Sequence, residues 1–133
     1  IEDEQKYIAN TIRSIISEIQ QQGLIAGIDL LVLEEVTDIT IKTVFLCHQF
    51  ICEIYDISSV SMREIRRFGI FFQFFIRYFG SDSSITKIVE PYKKMMFSLN
   101  ISLYLCYYLR LNDKNNRRKL AQDLILLNLQ NQK

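Results

Sequence analysis

Glycine and proline are nearly absent from this 133-residue chain, at four and one. An all-β fold needs many tight turns, and turns draw on those two residues. A mostly helical domain is therefore expected. Charge of one sign is also lacking, since the formal net charge is +1. General DNA or RNA binding needs a surplus of Lys and Arg on one face, so the balance argues against it. The longest apolar run, residues 97–109, carries Ser98, Asn100 and Ser102 and is too short to span a bilayer. Three cysteines, Cys47, Cys52 and Cys106, make no disulfide framework and fit a reducing, cytoplasmic setting. Residues 1–6 are acidic and polar where a signal peptide would need a basic start and an apolar run. With Ile1 at its start and a polar end, the chain reads as a piece of a longer protein.

What is present is hydrophobic periodicity. Ile8, Ile12, Ile15, Ile16 and Ile19 recur at helical spacing behind Glu2, Asp3 and Glu4, whose charges suit a helix start. Gly23 and Gly27 mark a connection. From about Leu33 to Tyr55, Val36, Ile39, Val44, Cys47, Ile51 and Ile54 follow a second helical face, although "VTDITIKTV" leans locally towards strand. The third helix is expected from Met62 to about Phe79. Ser61 and Glu64 have capping-box spacing, with the hydroxyl accepting from one end and the carboxylate from the other. Ser84 to Val89 is expected to add a short helical turn. Pro91 suits the start of a fourth helix, from about Tyr92 to Leu111. "NDKNN" is then a turn, and a fifth helix begins at Arg117. The expected fold is an all-α bundle of about five helices, with no internal repeat.

At 100° per residue, Ile65, Phe68, Phe72, Phe75, Ile76 and Phe79 gather on one face of the third helix, and Arg63, Arg66, Gln73 and Arg77 on the other. The bland reading is an aromatic core with a solvated arginine stripe. Stacking on nucleic acid would need aromatics interleaved with the cations, so their segregation sets that partner aside.

The chemistry is sparse. Cys47, His48 and Cys52 suggest a metal, but no fourth ligand or paired Cys-x-x-Cys accompanies them, so no metal site is expected. His48 and Cys47 cannot form a nucleophile–base pair as helix neighbours, because their side chains diverge by about 100°. No Gly-rich phosphate loop is present, and Glu34, Glu35 and Asp38 read as a solvated face. Arg63 stands apart. As the second residue of its helix it gains nothing from the positive helix end, and makes better sense facing an anion such as a phosphate.

"FICEIYDISSVSMREIRRFGIFFQFF", residues 50–75, resembles the lid of dynein-like AAA+ ATPases. It is most similar to the mysterin-like family, which joins such a motor to RING-type E3 ubiquitin ligase activity. The family pattern Ser-Val-Ser-Leu-Arg-Asp-Val/Ile falls on Ser59, Val60, Ser61, Met62, Arg63, Glu64 and Ile65, with Met62 and Glu64 as departures. "VFLCHQFICEI" upstream and "LYLCYYLRLNDKNNRRKL" downstream are also family-like, so the likeness spans about residues 40–130. The resemblance implies a lid over 31–90 and a following helical segment over 91–133, behind a leading helix and connection at residues 1–30 that are family-like only in general character. It makes Arg63 a sensor-2 residue for the γ-phosphate of ATP, with Arg66 and Arg67 as possible neighbours and Ser61 and Glu64 as supporting cap. ATP and Mg²⁺ would be bound by an adjacent AAA+ large subdomain in the same chain, with a neighbouring AAA+ module as a further partner. The Walker A lysine, the Walker B acid and the arginine finger do not occur in these residues, so catalysis and ubiquitin transfer would belong to the parent protein. A stand-alone helical interaction module, presenting its fourth or fifth helix to a partner, is the alternative.

Overall fold

A computed structural model describes residues 2–55, 63–81 and 87–131. Among them are five α-helices and no strand: α1 (Glu2–Gln21), α2 (Leu30–Ile54), α3 (Arg63–Phe79), α4 (Pro91–Cys106) and α5 (Lys114–Asn131), with a short 3₁₀ turn at Tyr108–Arg110. The all-α bundle is as expected. No helix among the described residues is long and apolar enough to cross a membrane.

α1 buries Ile8, Ile12, Ile16 and Ile19, with Ile15 packed at the edge of the core. It ends in a Schellman arrangement: Gly23 N–H donates to the Gln20 carbonyl and Leu24 N–H to that of Ile19. That ending needs a left-handed residue, and Gly23 supplies it at φ 75°.

α2 begins three residues before the periodicity suggested. Asp29 caps it by accepting from Leu31 N–H at 2.8 Å. The β-branched stretch is helical, and its threonines bond backwards along it. Thr37, Thr40 and Thr43 hydroxyls donate to the carbonyls of Leu33, Val36 and Ile39 at 2.6–2.7 Å. Burial of Val36, Ile41, Val44, Cys47 and Ile51 then outweighs the local strand preference.

α3 lies against α1 on one side and α4 on the other. Its core face is Ile65, Phe68, Phe72 and Ile76, all fully buried, with Phe68 stacked on Phe72 at 5.4 Å between centroids. Gly69 sets the approach to α1, since a Cβ there would lie 2.6 Å from Ile15 Cδ1. Phe75 and Phe79, expected in the core, are only half-buried. They form an aromatic ladder with Phe74 and Tyr78 that continues to Phe97 of α4.

Lys87–Val89 are not helical, so the expected turn over Ser84–Val89 is absent from its described part. Ile88 N–H instead donates to the Phe79 carbonyl at 2.8 Å and leads directly to Pro91 at the first position of α4. α4 stops at Cys106 and not at Leu111. Tyr107 leaves the helical region (φ −121°, ψ −51°), and its ring is driven into the core, edge-on to His48 at 6.4 Å. α5 starts at Lys114, inside the expected turn, because Asp113 accepts from Asn115 N–H at 2.7 Å and closes the first helical turn.

Candidate functional site

The sequence points to the start of α3, and the structure shows what holds it. Arg63, Arg66 and Arg67 are exposed, whereas Glu64 and Ile65 between them are buried. Alternation of that kind is what a helix with one packed face produces. Glu64 faces inward and meets the segment after α4: its Oε1 lies 3.0 Å from Arg110 Nη1 and its Oε2 3.9 Å from Arg67 Nη1. Arg110 is itself anchored from α2, because the Tyr55 hydroxyl donates to its carbonyl at 2.9 Å. The end of α2 and the start of α3 thus both meet the 3₁₀ turn after α4, at Arg110. Ser61, the other half of the expected capping box, lies outside the described residues, so the partner seen for Glu64 is Arg110. Sequence reasoning missed Arg110 and Tyr55, for no local pattern ties residues so far apart in the chain.

One further cation holds the segment that carries Arg110. Arg117 donates through Nε to the Leu111 carbonyl, and its guanidinium lies 5.5 Å from the centre of the Tyr108 ring, which stacks on Tyr104. The rim around the α3 start is therefore rich in arginine, and the arginines are held in different ways. Arg67 and Arg110 share one carboxylate, while Arg66 stands at the surface.

Beneath this rim the core is polar. Cys47, Cys106, Tyr107 and His48 are buried together with Glu64. Burial pushes the Cys47 thiol up to about 12, with Cys106 adding to it. Cys106 is also pushed up to about 12, first by burial and then by the Glu64 carboxylate, with Arg67 opposing. Both are therefore protonated at neutral pH and poor nucleophiles or metal ligands. His48 Nε2 lies 2.9 Å from Glu4 Oε1 of α1, a partner the sequence did not suggest. No cluster of three or more His, Cys, Asp or Glu that could hold a metal occurs among the described residues. Cys47, His48 and Cys52 sit in the core.

Replacing Glu64 with Ala should destabilise the protein by about 1–3 kcal/mol. The loss is moderated because Arg110 is partly exposed and can be rehydrated. Chemical denaturation of Glu64→Ala beside Arg110→Ala and the double variant measures the coupling, and additive losses would show that the two side chains act independently.

One expectation about this helix is corrected. Aromatic and basic residues are not fully segregated on it: Phe74 is 54% exposed, beside the aliphatic Ile70 at 69%, on the side that carries Arg66 and Arg77. The sequence held the signal, since Ile70 and Phe74 fall about 160° from Phe72 on the wheel.

The class that the fold defines is a small all-α bundle whose third helix opens on an exposed arginine. Compared with protein-family models, curated proteins and solved structures, the chain matches none.

Proposed function

We propose that this chain is the lid region of a mysterin-like AAA+ ATPase, in which Arg63 senses the γ-phosphate of ATP. The reading rests first on the resemblance of residues 59–65 to the sensor-2 motif. The structural observation that favours it is the placement of Arg63, exposed at the first described residue of a helix whose opposite face is locked into the core by Ile65, Phe68, Phe72 and Ile76. A guanidinium offers a rigid bidentate donor to phosphate. On an unyielding helix, loss of that phosphate is converted into rotation of the whole lid rather than into a rotamer change. Glu64, clamped by Arg110, would keep the arginine register fixed. ATP and Mg²⁺ would be held by the large AAA+ subdomain beside the lid, in a cytoplasmic parent protein whose E3 ubiquitin ligase activity lies in other residues.

In the parent ATPase, Arg63→Ala is expected to lower ATP turnover by about tenfold or more, the scale of one lost charge-assisted contact. Thermal unfolding of the 133-residue chain should not change. Wild-type ATP affinity together with wild-type turnover would remove the assignment.

A helical interaction module without a nucleotide role is favoured by one observation. On α5, Ile125, Leu126 and Leu129 are exposed on one side of the helix. The coding sequence before Ile1 separates the two readings. Walker A and B motifs within about 150–250 residues, one large subdomain's length, support the lid, and a further helical repeat supports the module.

A further inference from the structure

The outer face of α3 combines charge with apolar surface. Arg66, Ile70, Phe74 and Arg77 fall within about 80° of one another on the helix wheel and point away from the core. Gln73 and Arg77 are steadied by Glu18 and Gln22 of α1, at 3.3 and 3.1 Å, which leaves the apolar pair uncovered. Isolated apolar residues on a surface need no explanation, but an apolar pair framed by cations on a rigid helix makes a specific patch.

The same molecule carries the complementary pattern. At the start of α2, Leu30 and Leu31 are 69% and 71% exposed, and Glu34, Glu35 and Asp38 follow on that face, all exposed. Asp38 is bridged to Lys42 at 2.9 Å, and Arg13 borders the groove between α1 and α2. No acid among the described residues engages Arg66, and no cation among them engages Glu34 or Glu35. The two faces match in length as well as in sign. At 1.5 Å per residue, the centre of Arg66 and Arg67 lies about 8 Å from that of Ile70 and Phe74. The centre of the three acids also lies about 8 Å from that of Leu30 and Leu31.

We propose that the chain self-associates head to tail. The α3 face of one copy packs antiparallel on the α2 start of a second copy, with Ile70 and Phe74 against Leu30 and Leu31, and Arg66 and Arg67 against Glu34, Glu35 and Asp38. Because the two faces differ, a chain of copies keeps one of each free at its two ends, so growth is open-ended or closes into a ring. The patch is small, so the association is weak and salt-sensitive. Arg63 takes no part in the contact, and the proposal does not rest on a nucleotide role.

Sedimentation equilibrium of the 133-residue chain tests this over a range of concentration and salt. The expected result is concentration-dependent association at low salt that weakens at least about tenfold as ionic strength rises. Arg66→Glu and Glu35→Arg should each sediment as monomers with unchanged helical circular dichroism, because both positions are exposed. A one-to-one mixture of the two should associate again, since each supplies the half the other lacks. Ile70→Ser provides an uncharged variant and should also be monomeric. A wild-type chain that stays monomeric throughout would overturn the proposal, as would charge-reversed variants that associate as the wild type does, or a mixture that stays monomeric. A monomer retained by anionic vesicles or by a single-stranded oligonucleotide would give the α3 face to that occupant instead.

Discussion

Phe72→Ala is expected to destabilise the protein by about 3–5 kcal/mol, the cost of emptying a large, closed site. Phe72 is fully buried, and its ring stacks on Phe68 in the middle of the α3 core face. The site resists collapse from both sides. Gly69 already brings Ile15 of α1 close to the helix backbone, and α4 packs along the other flank. The removed ring therefore leaves a cavity lined by side chains that cannot easily close in. For a domain of this length the loss corresponds to a fall of roughly 10–20 °C in the unfolding midpoint. Phe74→Ala, two residues along the same helix and largely exposed, serves as the comparison and should stay within about 1 kcal/mol of the wild type. Similar midpoints for the two variants would show that the α3 core face is not the one described.

The second large effect concerns pH. Cys47 and Cys106 both titrate at about 12 in the folded protein, against 9.0 for an ordinary thiol, and the Tyr107 hydroxyl is held well above its usual range by burial. In the unfolded chain the thiols lose their protons from about pH 9. The folded protein keeps them until about pH 12. Between those values the unfolded state binds fewer protons, so unfolding becomes easier as pH rises. The stability contributed by these groups is fully present below pH 9 and falls steadily up to about pH 12. Denaturation midpoints measured from pH 7 to 11.5 should trace that decline, and a Cys47→Ala, Cys106→Ala double variant should flatten it. Equal slopes for the two proteins would separate the alkaline loss from the thiols. The same burial predicts that an aromatic disulfide reagent will label neither Cys47 nor Cys106 at neutral pH unless denaturant is added.

Much of the fold could be read from periodicity, because each helix has a strongly apolar face and short range decides it. Ile8, Ile12, Ile16 and Ile19 needed only their spacing. Boundaries are harder, and each difference has a physical cause. Asp29 caps α2 ahead of the apolar pattern, which begins only at Leu33. α4 is shorter than its apolar pattern, because nothing in "LCYYLRL" signals that Tyr107 abandons the helix for the core, where it meets His48 of α2. The threonines of α2 lean towards strand by preference, and only the hydroxyl bonds to preceding carbonyls reveal their helical role.

The candidate site divides in the same way. That Arg63 is exposed while Ile65 is buried follows from the wheel. Glu64 illustrates the limit: its spacing suggested a local cap, and its buried carboxylate meets an arginine from beyond α4. Pairings of that kind depend on tertiary placement, which no window of neighbouring residues contains. Ile70 and Phe74 were a different case. Their outward position was available from spacing, but a helix so rich in aromatics invites the assumption that all of them are core.

The clamp on Glu64 has a consequence for the order of events during synthesis. Tyr55 and Glu64 leave the ribosome well before Arg110, and the loop that joins them must close over all of α4. Until that happens α3 can form, and its isoleucine and phenylalanine face can collapse, but the carboxylate beside Arg63 has no cation from the far segment. The start of α3 thus acquires its final register only after the residues following α4 have been made and docked. A nascent chain halted before Arg110 would present the arginine on an unclamped helix, so the site matures late even though its own residues are central in the sequence.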